Sequence, residues 1–216
     1  MHGSAEARVE LESLVPALEV IASGGGVDAV EAAYVLGGAE MNVLDSDVRA
    51  LAWFERAGDH AGALRTRGFL AQHGRDGGAP DLVRAAQLYE RAAVLGDVVA
   101  ELNIGLCYLD GSGVSLDAAT ALRWLEAAAE HGKANARGYA ARACELLGDQ
   151  AAAARDFVHA ARWYFRMLVH GRADGIHAIH GFVAELTDAE VLHAAELAGD
   201  RSLGTTALSA WRGSGG

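Results

Sequence analysis

Proline is nearly absent from the sequence, and so are runs of β-branched residues. Only Pro16 and Pro80 occur in 216 residues, in an alanine-rich chain that is 51% hydrophobic. Proline and β-branched residues disfavour helices, whereas alanine is the strongest helix former. The composition therefore predicts an all-α fold, and the chain is long enough to bury a core as one domain or one short helical array.

Lysine and tracts of positive charge are also missing. Lys133 is the only lysine, the net charge is −11, and no Lys/Arg-rich tract occurs. Nucleic acids and anionic membranes attract positive surfaces, so we expect neither as a partner. The chain also lacks an 18-residue apolar run and a basic N-terminus followed by an apolar core. We therefore expect no membrane span, no signal peptide and a cytoplasmic location.

Cysteine is as scarce as proline. Cys107 and Cys144 fall at nearly the same place in successive predicted helices. Equivalent positions in packed neighbouring helices lie roughly 8–10 Å apart, whereas a disulfide needs Cα atoms within about 7 Å. We expect two buried thiols in a reducing compartment. A bridge or metal pair is the alternative, without support from a Cys-x-x-Cys spacing.

The segment from Gly96 to Gly132 has the pattern of a helical hairpin. Apolar residues recur at helical spacing on both sides of Gly111-Ser112-Gly113, and Asp117 stands where a helix N-cap belongs. Several features recur after 36 residues: Gly96 and Gly132, Asp81 and Asp117, Ala85 and Ala121, Leu88 and Trp124. A fixed period of this length indicates stacked repeats, because one hairpin cannot bury its own apolar face.

The residues of this hairpin resemble the signature of the Sel-like repeat (SLR) family, a relative of the tetratricopeptide repeat. The matching positions are Ala100, Ile104, Gly105, Tyr108, Gly111, Ser112, Gly113, Val114, Asp117, Ala121, Trp124, Leu125, Ala128, Ala129 and Gly132. The resemblance is specific over about residues 81–132 and degenerates on both sides. It implies a right-handed α/α superhelical solenoid that acts as a protein-interaction scaffold, with no common catalytic residues.

Extending the period predicts a single helical-repeat domain over residues 5–212. An N-terminal cap helix would cover residues 5–22 and a C-terminal helix residues 200–211. About five hairpins lie between them, at residues 27–57, 59–95, 97–131, 134–170 and 172–198.

Local signals define the helix ends within this scheme. Pro16 is expected to kink or divide the cap helix, and Gly37-Gly38 to end the next one. Asp45-Ser46-Asp47 is expected to cap the following helix. Gly148-Asp149 is expected to form the turn of the fourth hairpin, before a long helix over roughly 150–170. Thr187 with Glu190 three residues later predicts a capping box.

The predicted concave groove is the first candidate site. Counted from the glycine that opens each unit, the seventh residue is Arg65, Asn103 or Tyr139, and Arg142 lies one turn beyond Tyr139. Arginine can pair with a carboxylate, asparagine with backbone amides, and tyrosine offers apolar area with a polar tip. These residues are the predicted peptide-binding set. The alternative is that they occupy ordinary solvated or helix-packing positions.

Histidines near the C-terminus are the second candidate. Asp174, His177 and His180 follow one another at i, i+3 spacing on one helix face and could supply metal ligands or acid/base groups. No third ligand is specified and no general base is evident, so surface or partly buried histidines, or histidines whose packing responds to pH, remain alternatives.

Aromatic residues and the C-terminus complete the set of candidates. Trp53, Trp124 and Trp163 recur once per unit and are expected in the inter-helix core. Trp211 stands outside this register. The apolar run from Ala194 to Ala198 could pack on a second copy, which would give a homodimer. No phosphate-binding loop or nucleophile elbow follows a predicted strand, so we expect no cofactor.

These observations favour a non-catalytic adaptor that binds a protein or peptide through its groove. The alternative is an enzyme, or an accessory biosynthetic protein, with acid/base or metal chemistry near Asp174, His177 and His180.

Overall fold

The computed structural model describes residues 3–42 and 46–213. These residues form twelve α-helices and one 3₁₀ turn, and no strand occurs among them. The helices are α1 (Gly3–Ala22), α2 (Val27–Asn42), α3 (Asp47–Arg56), α4 (Ala61–Gln72), α5 (Leu82–Val94), α6 (Val98–Asp110), α7 (Ala118–Glu130), α8 (Ala136–Ala153), α9 (Phe157–Val169), α10 (Gly175–His180), α11 (Asp188–Leu197) and α12 (Arg201–Gly213), with the 3₁₀ turn at Val183–Glu185. The all-α prediction is confirmed.

The chain divides into two compact units. The first contains the described residues up to Cys107 with Ser112–Ser115, and the second contains Tyr108–Gly111 with the described residues from Leu116 onward. In the first unit α1 packs on α2, α2 on α3, α3 on α4, and α4 on α5. In the second unit α8 packs on α7 and α9, α9 packs on α10 and α11, and α11 packs on α12. Each unit is therefore a series of helical hairpins that bury their faces against their neighbours.

Each core combines many alanines with a few large side chains. In the first unit Phe54 is the largest member of a buried cluster that draws residues from α1 to α4, including Ala33, Leu36 and Leu70. In the second unit Phe165 is fully buried on α9. Burying a side chain of this size contributes about 1.5–3 kcal/mol. Alanine at the intervening positions allows the helices to approach closely.

Two predicted helix ends are wrong, because the glycines there allow close packing. α2 continues through Gly37-Gly38, and a Cβ atom at Gly37 would lie 2.5 Å from the Phe54 ring. α8 likewise continues through Gly148-Asp149 to Ala153. A Cβ atom at Gly148 would lie 2.7 Å from the ring of Tyr164. The fourth hairpin therefore has its longer helix first, and the predicted helix over 150–170 begins only at Phe157.

The other predicted helix ends have mixed outcomes. α1 is one helix with Pro16 inside it, so the proline does not divide it. Ser46 is the N-cap residue of α3, but its side chain makes no capping hydrogen bond to the described residues, and Asp45 lies outside them. Asp117 caps α7 as predicted, accepting hydrogen bonds from the backbone N–H groups of Ala119 and Thr120.

The apolar run on α11 is covered by the chain's own C-terminal helix. Ala194, Ala195 and Ala198 are buried, and α12 packs directly on α11. A Cβ atom at Gly204 of α12 would lie 2.9 Å from the Cβ atom of Ala195. The three alanines therefore pack within one chain and are not available to a second copy, whereas Leu197 of the same run is 39% exposed.

The capping box at α11 is formed in full, and we expect Thr187→Ala to destabilise the protein by about 1 kcal/mol. The Thr187 side chain accepts from the Glu190 backbone N–H, and the Glu190 carboxylate accepts from the Thr187 N–H at 2.8 Å. Thermal unfolding should show a loss of about 2–4 °C. Thr206→Ala is the control, because that exposed hydroxyl bonds only to a carbonyl of its own helix. Equal losses in the two variants would contradict a capping role.

Candidate interaction site

Arg65 is held by an ion pair inside the first unit. Its guanidinium Nε lies 3.0 Å from Oδ2 of Asp97. The other Asp97 oxygen accepts the backbone N–H of Ala100 at 2.8 Å, which caps the start of α6. Arg65 therefore joins α4 to the beginning of α6. The repeat register identified Arg65 as a candidate. It did not show that the carboxylate of Asp97, 32 residues later, pairs with this arginine.

Asn103 is the other predicted groove residue of the first unit. It lies on α6 and is partly buried. Its side-chain amide carries two donors and an acceptor, which suits the backbone of an extended peptide.

Tyr139 and Arg142 lie on α8 in the second unit. Tyr139 is 39% exposed, and the Arg142 side chain is 58% exposed, with its guanidinium 3.8 Å from Asp110. Residues three apart on a helix share a face. The structure therefore places a large aromatic side chain next to a weakly engaged arginine on one exposed helix surface.

Asp174, His177 and His180 do not assemble into a site in the structure. The Asp174 carboxylate accepts a hydrogen bond from Arg172 at 2.7 Å, and this bond, with the arginine charge, lowers the pKa of Asp174. His177 and His180 are exposed on the six-residue helix α10. Within the described part of the chain, no three His, Cys, Asp or Glu side chains lie close enough to hold a metal ion.

A surface cleft between α7 and α9 was not predicted from the sequence. It has a volume of about 300 Å³ and is lined by Leu122, Arg123 and Glu126 of α7 and by Arg162, Trp163 and Arg166 of α9. The guanidinium of Arg162 lies over the Trp163 ring, 4.5 Å from its centre. Trp163 is partly buried and lines this cleft. The repeat register had predicted that it would lie in the inter-helix core.

Glu126 is the acidic group of this cleft, and it is already engaged. Its Oε1 accepts from Arg166 Nε at 2.8 Å and lies 2.9 Å from His170 Nε2. Burial alone would raise the pKa of the Glu126 carboxyl, but the hydrogen bond from His170 and the charge and hydrogen bond of Arg166 outweigh it. The pKa therefore lies below its ordinary value, and Glu126 is ionised at neutral pH.

Both cysteines are buried, and neither forms a disulfide, as predicted. Burial raises the pKa of the Cys144 thiol to about 12, and the nearby Glu126 charge adds to the effect.

Comparison with known protein families identifies the repeat. The Sel1 repeat matches residues 30–61, 68–97 and 98–133. The chain contains Sel1 repeats. The third match covers α6 and α7, the segment whose residues resemble the SLR signature. Sel1 repeats typically serve as protein-interaction scaffolds.

Solved Sel1 structures resemble the chain. A Sel1 repeat protein from Oxalobacter formigenes is 28% identical, with a TM-score of 0.49, and the match covers 61% of this chain and 95% of that one. A protective antigen of uropathogenic Escherichia coli strains that displays an SLR fold is 23% identical, with a TM-score of 0.51 over 88% of this chain. The match covers 42% of the antigen's own length. No curated protein matches the chain.

These similarities confirm the predicted fold class, a Sel1-type helical-repeat solenoid. No helix in the described ranges is long and apolar enough to cross a membrane.

Proposed function

We propose that this Sel1-repeat protein is a non-catalytic scaffold that binds a partner protein or peptide through the exposed surface that the first helix of a hairpin presents. The observation that carries the proposal is the adjacent, exposed pair of Tyr139 and Arg142 on α8. Tyrosine and arginine are the residue types that most often dominate protein interfaces.

Asn103 occupies the equivalent repeat position on α6, in the first unit, and is a separate candidate contact for the partner. Arg65 has a different status, since its pairing with Asp97 ties it to the start of α6. Substituting Arg65 would disturb that helix start as well as any bound peptide. If an Arg65 variant no longer bound the partner, the result would not distinguish a lost contact with the partner from a disturbed fold. Variants on α8 are therefore the better test.

We expect a photo-crosslinking amino acid at position 139 to capture one dominant partner in lysate of the native host. Leu197 on α11 is the matched control position, because its side chain is also 39% exposed. The adduct should form at position 139 and not at position 197. Mass spectrometry identifies the crosslinked partner. Adding Arg142→Ala should reduce the yield severalfold, because the guanidinium would no longer reach the partner.

Equal adduct yields at positions 139 and 197 would contradict the proposal, and so would the absence of any adduct at position 139. Thermal unfolding of each variant verifies that the fold is intact. A yield unchanged by Arg142→Ala would remove Arg142 from the binding surface.

A further inference from the structure

The cleft between α7 and α9 carries positive charge that the chain does not neutralise. Among its charged groups, Glu126 is bound by Arg166 and His170. Arg123 is exposed and donates only a long hydrogen bond, 3.3 Å, to the Thr120 hydroxyl. Neither Arg123 nor Arg162 forms a direct ion pair with a carboxylate of the described residues, although the charge of Arg123 acts on the nearby Asp117.

The Arg162 guanidinium is held in one orientation, yet one of its hydrogen-bond donors has no acceptor among the described residues. Its guanidinium is stacked on Trp163, which restricts its orientation. Its Nε atom is buried and makes no hydrogen bond to the described residues. A buried donor without an acceptor is unfavourable, and a ligand oxygen that reached it would relieve this cost.

The shape of the cleft complements its charge. Trp163 supplies an aromatic surface, Leu122 adds an apolar side chain to the lining, and the volume of about 300 Å³ matches one or two side chains. A guanidinium fork recognises a carboxylate through paired hydrogen bonds. The cleft is thus built for a carboxylate that has an apolar group beside it.

We propose that this cleft binds an acidic peptide segment of a partner protein. An Asp or Glu side chain of the peptide accepts hydrogen bonds from Arg162 and Arg123, and an adjacent apolar side chain packs on Trp163. Charge complementarity within the cleft favours this occupant, because Arg123 and Arg162 attract a carboxylate locally even though the net charge of the protein is −11. The site lies on α7 and α9 and does not depend on the Tyr139–Arg142 surface of α8.

The test begins with a displayed library of random heptapeptides selected on the purified full-length protein. The recovered peptides should be enriched in Asp or Glu next to a large apolar residue. Dissociation constants of the fluorescently labelled peptides are then measured by anisotropy. Arg162→Gln should weaken binding about tenfold or more, as expected for the loss of charge-assisted hydrogen bonds.

Two control variants locate the site. Arg201→Gln changes an exposed arginine on α12 that pairs with Glu196, and it should alter the dissociation constant less than twofold. Arg142→Ala should also leave it unchanged, and a loss of binding there would place the peptides on α8 and overturn the proposal. Peptides without acidic enrichment, or peptides indifferent to Arg162→Gln, would overturn it as well.

Discussion

Gly113→Ala is expected to lower the free energy of unfolding by about 4 kcal/mol or more. Gly113 lies in the connection between α6 and α7 with φ +76, and a Cβ atom there would lie 2.0 Å from the carbonyl oxygen of Leu82. The carbonyl carbon of Leu82 would be at 2.3 Å and the amide nitrogen of Val83 at 2.9 Å. These are backbone atoms at the start of α5, so they cannot rotate away as the end of a side chain can.

Gly132→Ala is the matched control for Gly113→Ala. Gly132 also has a positive φ, +98, but no described atom lies within 4 Å of its Cβ position. This variant should lose only the 1–2 kcal/mol or so that left-handed backbone costs an L-residue. Calorimetry should separate the two, since each kcal/mol shifts the unfolding temperature by about 2–4 °C in a chain of this size. Similar shifts in both variants would contradict the close approach at Gly113.

Gly148→Ala and Gly138→Ala should have opposite effects, although both glycines lie in α8. Gly138 is exposed, and no described atom lies within 4 Å of its Cβ position, so alanine should stabilise the helix by about 0.5–1 kcal/mol. At Gly148 a Cβ atom would lie 2.7–3.0 Å from three ring atoms of Tyr164. We expect a net loss of about 2 kcal/mol, because overpacking a core typically costs 1–3 kcal/mol.

Tyr164 cannot easily move away from a larger residue at position 148. Its ring is buried, and its hydroxyl donates a 2.6 Å hydrogen bond to Asp149. Burial and this hydrogen bond both raise the pKa of Tyr164, so the hydroxyl stays protonated at neutral pH. Denaturant unfolding of the two alanine variants tests the contact between position 148 and the Tyr164 ring. If both substitutions stabilised the protein, the ring would have to move aside at little cost in free energy, which would contradict the prediction.

The repeat period could be predicted because some glycines have a single role. Gly58, Gly96 and Gly132 open successive units, and each has a positive φ that other residues rarely adopt. Gly37 and Gly148 looked the same in the sequence but have a different role. They let aromatic rings from the next helix approach the backbone, and those rings lie 17 and 16 residues later, at Phe54 and Tyr164. A long-range contact of this kind leaves no local pattern.

The turn of the fourth hairpin was missed for a related reason. It contains Arg155, which has φ +59 without being glycine. Left-handed backbone is rare for arginine, so the sequence pointed to Gly148 instead.

The candidate site shows the same limit of sequence reasoning. The repeat register marked Arg65 as a groove residue. It could not show which carboxylates pair with which arginines. Asp97 forms an ion pair with Arg65, and Glu126 pairs with Arg166 and not with Arg162. Those choices depend on how the side chains of separate helices meet.

The buried thiols have a practical consequence for labelling. Nucleophilic attack by cysteine requires the thiolate, and the raised pKa of Cys144 leaves almost none of it at neutral pH. Cys107 is shielded by the surrounding core. A single cysteine introduced at an exposed position such as Tyr139 would therefore react with maleimide dyes far faster than either native thiol. The native sequence can thus serve directly as the background for fluorescence or spin-label measurements, with both natural cysteines left in place.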